Sequence, residues 1–288
     1  MDLVRHGQSV DNLEKILGTV PPGAPLTELG EQQAHEVALL IHADYPNGFD
    51  GIYASELVRG QSTAQPLADL LHTDLRVLPG LNEINAGFLE GANLTTITEV
   101  AYILPAVLWI LGLYFVPVLG STIDPNGMAF QDRVSDAVQT IYNNSAPENG
   151  AMTSVAFAHA GTIAAWTLMN VKNPDLSLVV KDLIDTHQPL PNTGQVVIQG
   201  SPEDGWKLLS WNGTAVPAQP DFLTSLFVGF RDVITAPQMA LWHLWESLIG
   251  GGGPATGDVA PNGSDDALGG VTGVPTDDGA ALADLLVS

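Results

Sequence analysis

Short apolar, β-branched runs separated by amphipathic helical patterns constrain the architecture of this chain more tightly than any other feature. Gly51-Ile52-Tyr53-Ala54, Leu75-Arg76-Val77-Leu78, Val155-Ala156-Phe157 and Gln195-Val196-Val197-Ile198 read as strands buried in a sheet. Between them, Ala34, Val37, Ala38 and Ile41 share one helix face, as do Ala64, Leu67, Ala68 and Leu71, and Phe130, Val134, Ala137, Val138 and Ile141. Strands alternating with helices imply an α/β fold, a three-layer α/β/α sandwich around a mostly parallel sheet. The run from Val196 to Trp211, broken by Ser201-Pro202-Glu203-Asp204-Gly205, predicts a hairpin closing one sheet edge. In such sheets ligands bind at the carboxyl ends of strands, so function is sought in the residues just after each strand.

Composition narrows the classes of function. A chain of 288 residues holds one large or two small domains, and 45% apolar content with six tryptophans supplies a core. The absence of cysteine excludes disulfides, a thiol nucleophile and Cys-ligated metal. Thirty-two acidic against nine basic side chains give a formal charge of −23. That balance argues against nucleic acid or anionic lipid as the main partner, because phosphate backbones require a basic face. Any anion site in this chain must gather scarce positive charge.

Such gathering is visible at four strand ends. Leu3-Val4 leads directly into Arg5-His6-Gly7-Gln8-Ser9. Arg offers a planar fork of donors for phosphate oxygens, a neutral imidazole can attack phosphorus, and Gly7 permits close backbone approach to an anion. Ser55 to Ala64 follows the second strand and brings Arg59 to the same edge; Leu81 to Gly91 follows the third and brings Glu83. Phe157-Ala158-His159-Ala160-Gly161-Thr162 follows the fourth and opens a helix whose N-terminus favours an anion. Two Arg, two His and one Glu are thus contributed from separate places in the sequence.

With these residues in place, the chain resembles the histidine phosphatase superfamily in its phosphoglycerate mutase-like branch, from about Leu3 to Trp211. Arg5-His6-Gly7 matches the signature, and Asn12, the Leu26-Thr27-Glu28-Leu29-Gly30 run with Gln33-Ala34, and the Ser55 to Ala64 segment fall where the family has similar residues. The resemblance implies that His6 is the nucleophile that becomes phosphohistidine. It implies that Arg5, Arg59 and His159 hold the phosphoryl oxygens, that Asn12 adds a hydrogen bond, and that Glu83 is the proton donor and later the base. No metal and no cofactor are expected, the Arg and His charges serving in a metal's place. Two departures stand out: the common His-Gly-Gly reads His159-Ala160-Gly161, and a frequent Trp near Glu83 is Leu89. The acid phosphatase and phytase branch is disfavoured, because Arg5-His6-Gly7 continues as Gln8-Ser9-Val10-Asp11 and His159 is followed by Ala160.

The other polar residues read more plainly. His35, His42 and His72 are ordinary helix residues, and His187 and His243 lack the spacing of metal ligands. Glu90 is read as a solvated loop acid in preference to a second carboxylate beside Glu83. Asn192-Thr193 falls between two apparent elements and is read as a plain turn in preference to one directed toward the site.

Three segments fall outside the α/β rhythm. Ala101 to Leu119 is uncharged and long enough to span a bilayer, yet a crossing there would separate His159 from Arg5, His6, Arg59 and Glu83. It is read instead as an apolar helical cap, with Pro105, Gly112 and Pro117 predicting a broken helical hairpin. Phe222 to Ile249 predicts a helix kinked or split at Pro237. It is expected to pack on the cap, pair with a second copy or touch a membrane surface. Gly250 onward is Gly/Pro/Asp-rich and predicted to be largely disordered, with one short helix over Ala280 to Val287. The expected organisation is a catalytic domain over 1–215 with a cap insertion at 92–127, a helical extension over 216–249 and a tail over 250–288. A first strand of about four residues is short, so an upstream segment is expected to have been removed, and export is favoured over a cytoplasmic location. The functional expectation is a phosphomonoester hydrolase acting on a phosphorylated small molecule, a small or apolar monophosphate. The alternatives are a phosphomutase and a non-catalytic phospholigand-binding protein.

Overall fold

The computed structural model describes residues 1–145, 153–186 and 188–249. The tail over 250–288, including Ala280 to Val287, and His187 lie outside the described residues. Strands β1 (Asp2–Arg5), β2 (Gly51–Ala54), β3 (Leu75–Val77), β4 (Ser154–Ala158), β5 (Gln195–Ser201), β6 (Gly205–Trp211) and β7 (Thr214–Ala215) form one sheet in the order β3-β2-β4-β1-β5-β6-β7. Helices are α1 (Val10–Glu14), α2 (Glu28–Asp44), α3 (Val58–Leu71), α4 (Thr96–Ile110), α5 (Gly127–Asn144), α6 (Ala160–Asn170), α7 (Leu176–Thr186) and α8 (Phe222–Ile249).

Period-two alternation along the strands sorts the core into two layers. Val4, Ile52, Ala54, Val155 and Phe157 pack against α2 and α3 residues such as Val37, Ile41 and Leu67. Leu3, Tyr53, Ala156 and Ala158 face the other way, into a cluster with Phe130 and Val134 of α5 and Ile163 and Trp166 of α6. The helical faces read from the sequence are the buried ones. The α/β/α sandwich is therefore present.

The sheet is mixed, which corrects the expectation of a mostly parallel one. β1 to β4 are mutually parallel, whereas β1 with β5, β5 with β6, and β6 with β7 are antiparallel. The β5–β6 pair is joined by a tight hairpin, a connection open only to antiparallel strands, and the chain enters β5 on the far side of β1 after passing through α6 and α7. The expected hairpin is β5–β6; Ser201 Oγ accepts from Asp204 N at 2.9 Å, and Gly205 supplies the positive φ of +77°.

The apolar segment forms one helix, α4, followed by turns, and not a broken helical hairpin. Pro105 sits inside α4, and Ala101, whose carbonyl loses its usual partner there, is exposed to water. The helix ends at Gly112, whose φ of +92° turns the chain away, and the return is fastened by a bridge between Pro117 and Asn126. Pro237 likewise does not split α8, which runs uninterrupted for 28 residues. Its missing N–H orphans the carbonyl of Val233, an exposed residue. Among the described residues no helix is long and apolar enough to cross a membrane.

Candidate active site

Adjacent parallel strands bring the site together. Arg5 of β1 lies in register with Ala158 of β4, and His6 N donates to the Ala158 carbonyl at 3.1 Å. On the other side of β4, Ser55 N donates to the Phe157 carbonyl at 3.1 Å. The residues that follow β1, β2 and β4 thus share one edge, and the rings of His6 and His159 lie 5.0 Å apart.

The loop after β1 is clamped by the segments that accompany it in the sequence. Gly7 N donates to Thr63 Oγ1 at 3.0 Å, Gln8 N to Gln33 Oε1 at 2.8 Å, and Thr27 N to the Gln8 carbonyl at 2.9 Å. A Cβ on Gly7 would meet the Gly30 carbonyl oxygen at 2.6 Å, so both positions depend on glycine for close packing.

His6 has a defined tautomer. Its Nδ1 lies 2.6 Å from the Gly7 carbonyl, which can only accept, so Nδ1 carries the proton. Nε2 then presents its lone pair and accepts from Arg59 Nε at 3.1 Å. Burial first, then the charges of Arg59 and Arg5, hold the imidazole pKa well below its ordinary value, so His6 is neutral at pH 7. His159 is held well below its ordinary value by burial and by Arg59, His6, Arg5 and Arg133. Its Nε2 lies 2.8 Å from Ser55 Oγ; with the hydroxyl donating there, the ring's single proton sits on Nδ1.

Three buried polar atoms around these rings lack a hydrogen-bond partner: Arg5 Nε, Arg59 Nη1 and His159 Nδ1. Buried donors are ordinarily satisfied, and a group of orphans is what an anion site looks like before its anion arrives. The remaining donors fix the two guanidinium groups. Arg5 Nη1 donates to Gln188 Oε1 and to the Leu190 carbonyl at 2.5 Å, and Arg59 Nη2 donates to the Gly18 carbonyl at 2.8 Å. Burial pulls the Arg5 pKa down to about 10, which leaves it charged at neutral pH. Asp11 approaches Arg59 Nη1 at 3.7 Å.

Glu83 is seated on the N-terminus of α6. One carboxylate oxygen accepts from Thr162 N at 2.8 Å, Thr162 Oγ1 at 3.0 Å and Ile84 N at 2.9 Å; the other accepts from Gly161 N at 3.1 Å. Its charge opposes the lowering that burial imposes on Arg5 and Arg59, so it belongs to the same electrostatic cluster. Tyr102 of α4 closes over this region, donating to the Ile84 carbonyl at 2.9 Å. Asn12 spends its Oδ1 on Ser9 N and Asn192 Nδ2, leaving its amide donors for a ligand.

The structure thus brings Arg5, His6, Arg59, Glu83 and His159 into one cluster, with Asn12 at its rim. Glu90 is exposed, as expected of a solvated loop acid, yet it accepts from Thr19 N at 2.9 Å and Val20 N at 3.2 Å, and so anchors the loop that also carries Gly18. Asn192 does more than turn the chain, since its Nδ2 donates to the His6 carbonyl at 3.1 Å. Ser55 was legible as the residue directly after β2 and Asn192 as a turn between two elements, whereas Tyr102 had no local signal. His35 and His42 lie on α2 and His72 ends α3, apart from this cluster; His243 pairs with Asp132 at 3.0 Å. Among the described residues no three His, Asp or Glu side chains are grouped as a metal site.

Comparison with known proteins agrees with this geometry. The fold is shared with the phosphoserine phosphatase of Entamoeba histolytica, at 25% identity and a TM-score of 0.51, covering 74% of this chain and 96% of that one. It is shared with a mycobacterial glucosyl-3-phosphoglycerate phosphatase, at 22% identity and a TM-score of 0.54, covering 74% and 98%. In sequence, the chain is 44% identical to the PE-PGRS family protein PE_PGRS11 of Mycobacterium tuberculosis over 92% of its own length, yet spans only 45% of that protein. It is 39% identical over 98 residues to the probable phosphoglycerate mutase GpmB of Enterobacter sp. (strain 638), covering 34% of this chain and 43% of that one. A family model matches residues 1–214, and with the site assembled as described the chain belongs to the histidine phosphatase superfamily, branch 1.

Proposed function

We propose that the protein is a phosphomonoester hydrolase acting through phosphohistidine on a small or apolar monophosphate. The observation that carries this reading is the His6 Nε2 lone pair, unprotonated and fixed by Arg59 Nε within a ring of orphaned donors. In the first step Nε2 gives up the Arg59 hydrogen bond and attacks phosphorus, the N–P bond forms as the ester P–O bond breaks, and Glu83 passes a proton to the leaving alkoxide. Arg5, Arg59 and His159 stabilise the charge on the three equatorial oxygens, and the helix dipole of α6 adds to this. In the second step water attacks phosphorus, Glu83 takes its proton, the N–P bond breaks, and free phosphate and neutral His6 are regenerated. The proposed chemistry uses no metal and no cofactor.

The restriction to a monophosphate with an uncharged remainder is supported by the placement of the cations. Of nine Lys and Arg residues, only Arg5 and Arg59 reach the cluster. Arg133 is already paired with Asp124 at 2.8 Å, and Arg231 is committed to Asp232 and to the Leu168 and Val171 carbonyls. Of the remaining cations Lys15, at the end of α1, is the nearest to the site in sequence, so a carboxylate or second phosphate would find few cationic partners, which also favours hydrolysis over a mutase reaction. The test is a screen of sugar, nucleotide, glycerate and alkyl or aryl monophosphates beside a bisphosphate, with His6→Ala as control. An acid-labile phosphoenzyme and a loss of at least about 10³-fold in kcat for His6→Ala are expected. Unchanged hydrolysis by His6→Ala would overturn the mechanism. Equal turnover of bisphosphates and alkyl monophosphates would overturn the substrate class.

A further inference from the structure

Helix α8 carries three distinct faces. At about 100° per residue, Arg231, Thr235, Gln238 and Trp242 fall together on the side that meets the rest of the protein. Arg231 donates to the Leu168 and Val171 carbonyls, Gln238 Nε2 to the Gly112 carbonyl at 2.8 Å, and Trp242 Nε1 to Asp132 at 2.8 Å. Ser225, Asp232, His243 and Ser247 form an ordinary polar face. The third face is apolar and exposed: Leu223, Leu226, Phe230, Leu241, Trp245 and Leu248 are each more than half accessible. At roughly 100 Å² apiece, this stripe reaches the 300–600 Å² of the largest apolar patch on a typical monomer and approaches the ~800 Å² per partner of a stable interface.

The stripe also has an internal symmetry. Leu223 and Leu248 are equidistant from a point between Thr235 and Ala236, and so are Leu226 and Trp245, and Phe230 and Leu241. Laid antiparallel against itself about that point, the helix places each of these residues opposite its counterpart, as an isologous interface requires. Exposed Pro237 lies close to the centre, where no side chain of high polarity intrudes on the stripe. A membrane surface is a poorer match, because the only basic residue of α8, Arg231, is buried, and an interfacial helix ordinarily lines its polar face with Lys or Arg.

We infer that the apolar stripe of α8 is the interface of a twofold-symmetric homodimer in which the α8 helices of two copies pack antiparallel about a point between Thr235 and Ala236. Sedimentation of the full chain over about a hundredfold range of concentration should give a mass twice the 30.3 kDa of the chain. Phe230→Glu should reduce it to monomer, while circular dichroism and turnover of p-nitrophenyl phosphate stay unchanged, since Phe230 is 62% exposed and away from the cluster. Ile97→Glu, in an exposed apolar position of α4, should leave the dimer intact.

Because the chain has no cysteine, single Val233→Cys and Leu223→Cys variants can be spin-labelled at one position. Antiparallel packing places the Val233 labels within roughly 25 Å and the Leu223 labels roughly 40 Å apart. A monomer at all concentrations, or a dimer broken by Ile97→Glu and not by Phe230→Glu, would overturn the interface. Short distances at both labelled positions would overturn the antiparallel arrangement. Monomers that bind zwitterionic phosphatidylcholine vesicles through the stripe would replace the second copy with a membrane.

Discussion

A side chain at position 161 has no room, because a Cβ there would meet Glu83 Oε1 at 2.8 Å. This gives a physical reason for one glycine of the expected His-Gly-Gly run persisting while the other is Ala160: position 160 faces no such contact, and position 161 is where the carboxylate rests on the helix. On the proposed role of Glu83, Gly161→Ala should displace the proton donor and leave the phosphate donors in place. Its kcat for an alkyl phosphate should fall by about 10- to 100-fold, and far less for p-nitrophenyl phosphate, whose leaving group needs little protonation. Steady-state kinetics with the two substrates check this, and equal losses would argue against it. The residue types of the cluster were legible because chemistry demands them after strand ends. The tautomer of His6, the Ser55 hydrogen bond to His159 and the Asn192 clamp were not, because they depend on which atoms meet across the fold.

Among the elements, α5 does work for the site that its amphipathic pattern does not announce. Arg133 leaves the α5 surface to grip the Asp124 carboxylate with Nε at 2.8 Å and Nη2 at 2.9 Å, and it donates to the Gly80 and Asn82 carbonyls. Asp124 in turn accepts from Asn85 N at 3.0 Å, so the Glu83 segment is held on both sides by one ion pair whose carboxylate is fully buried. Removing one partner strands the other's charge in the interior. Arg133→Met should therefore cost roughly 3 kcal/mol of stability and lower kcat more than it raises KM. Denaturant unfolding together with kinetics checks both, and a stability change under about 0.5 kcal/mol would contradict the role. The same scale shows where periodicity reaches its limit. The apolar faces of α2, α3 and α5 were read correctly from spacing, because each packs one stripe on the sheet. Continuity of α4 and α8 through Pro105 and Pro237 was not, because the cost of proline in a helix depends on whether the orphaned carbonyl faces water.

For the whole molecule, the scarcity of positive charge becomes a matter of placement: two of nine cations are buried at one sheet edge and the acids are spread elsewhere. Asp2 differs from the other buried acids, Asp124 and Asp182, whose oxygens are hydrogen-bonded. It is 1% exposed at the start of β1, both its oxygens lack a hydrogen-bond partner, and burial raises its pKa from 3.8 to about 7. Between about pH 4 and 7 the unfolded chain has lost this proton while the folded chain keeps it, so stability falls as pH rises through that window. His6 and His159 act in the opposite sense, withdrawing stability as pH falls below 6.5, where the unfolded imidazoles take up protons first. Asp2→Asn should flatten the decline above pH 4 by a few kcal/mol, read as the melting temperature at pH 5 and pH 8 for both proteins. The same pH slope in both would refute it.

Read by itself, the sequence determined the α/β class, the buried face of each core helix and the identity of the cluster, because all of these follow from local periodicity and from the chemistry a phosphoryl group requires. The tertiary structure alone decided the antiparallel half of the sheet, the seat of Glu83 on α6, the orphaned donors and the exposed stripe of α8. Each of those depends on contacts between residues tens to hundreds of positions apart, and local sequence pattern carries no information about which of two apolar faces of a helix the rest of the chain will cover.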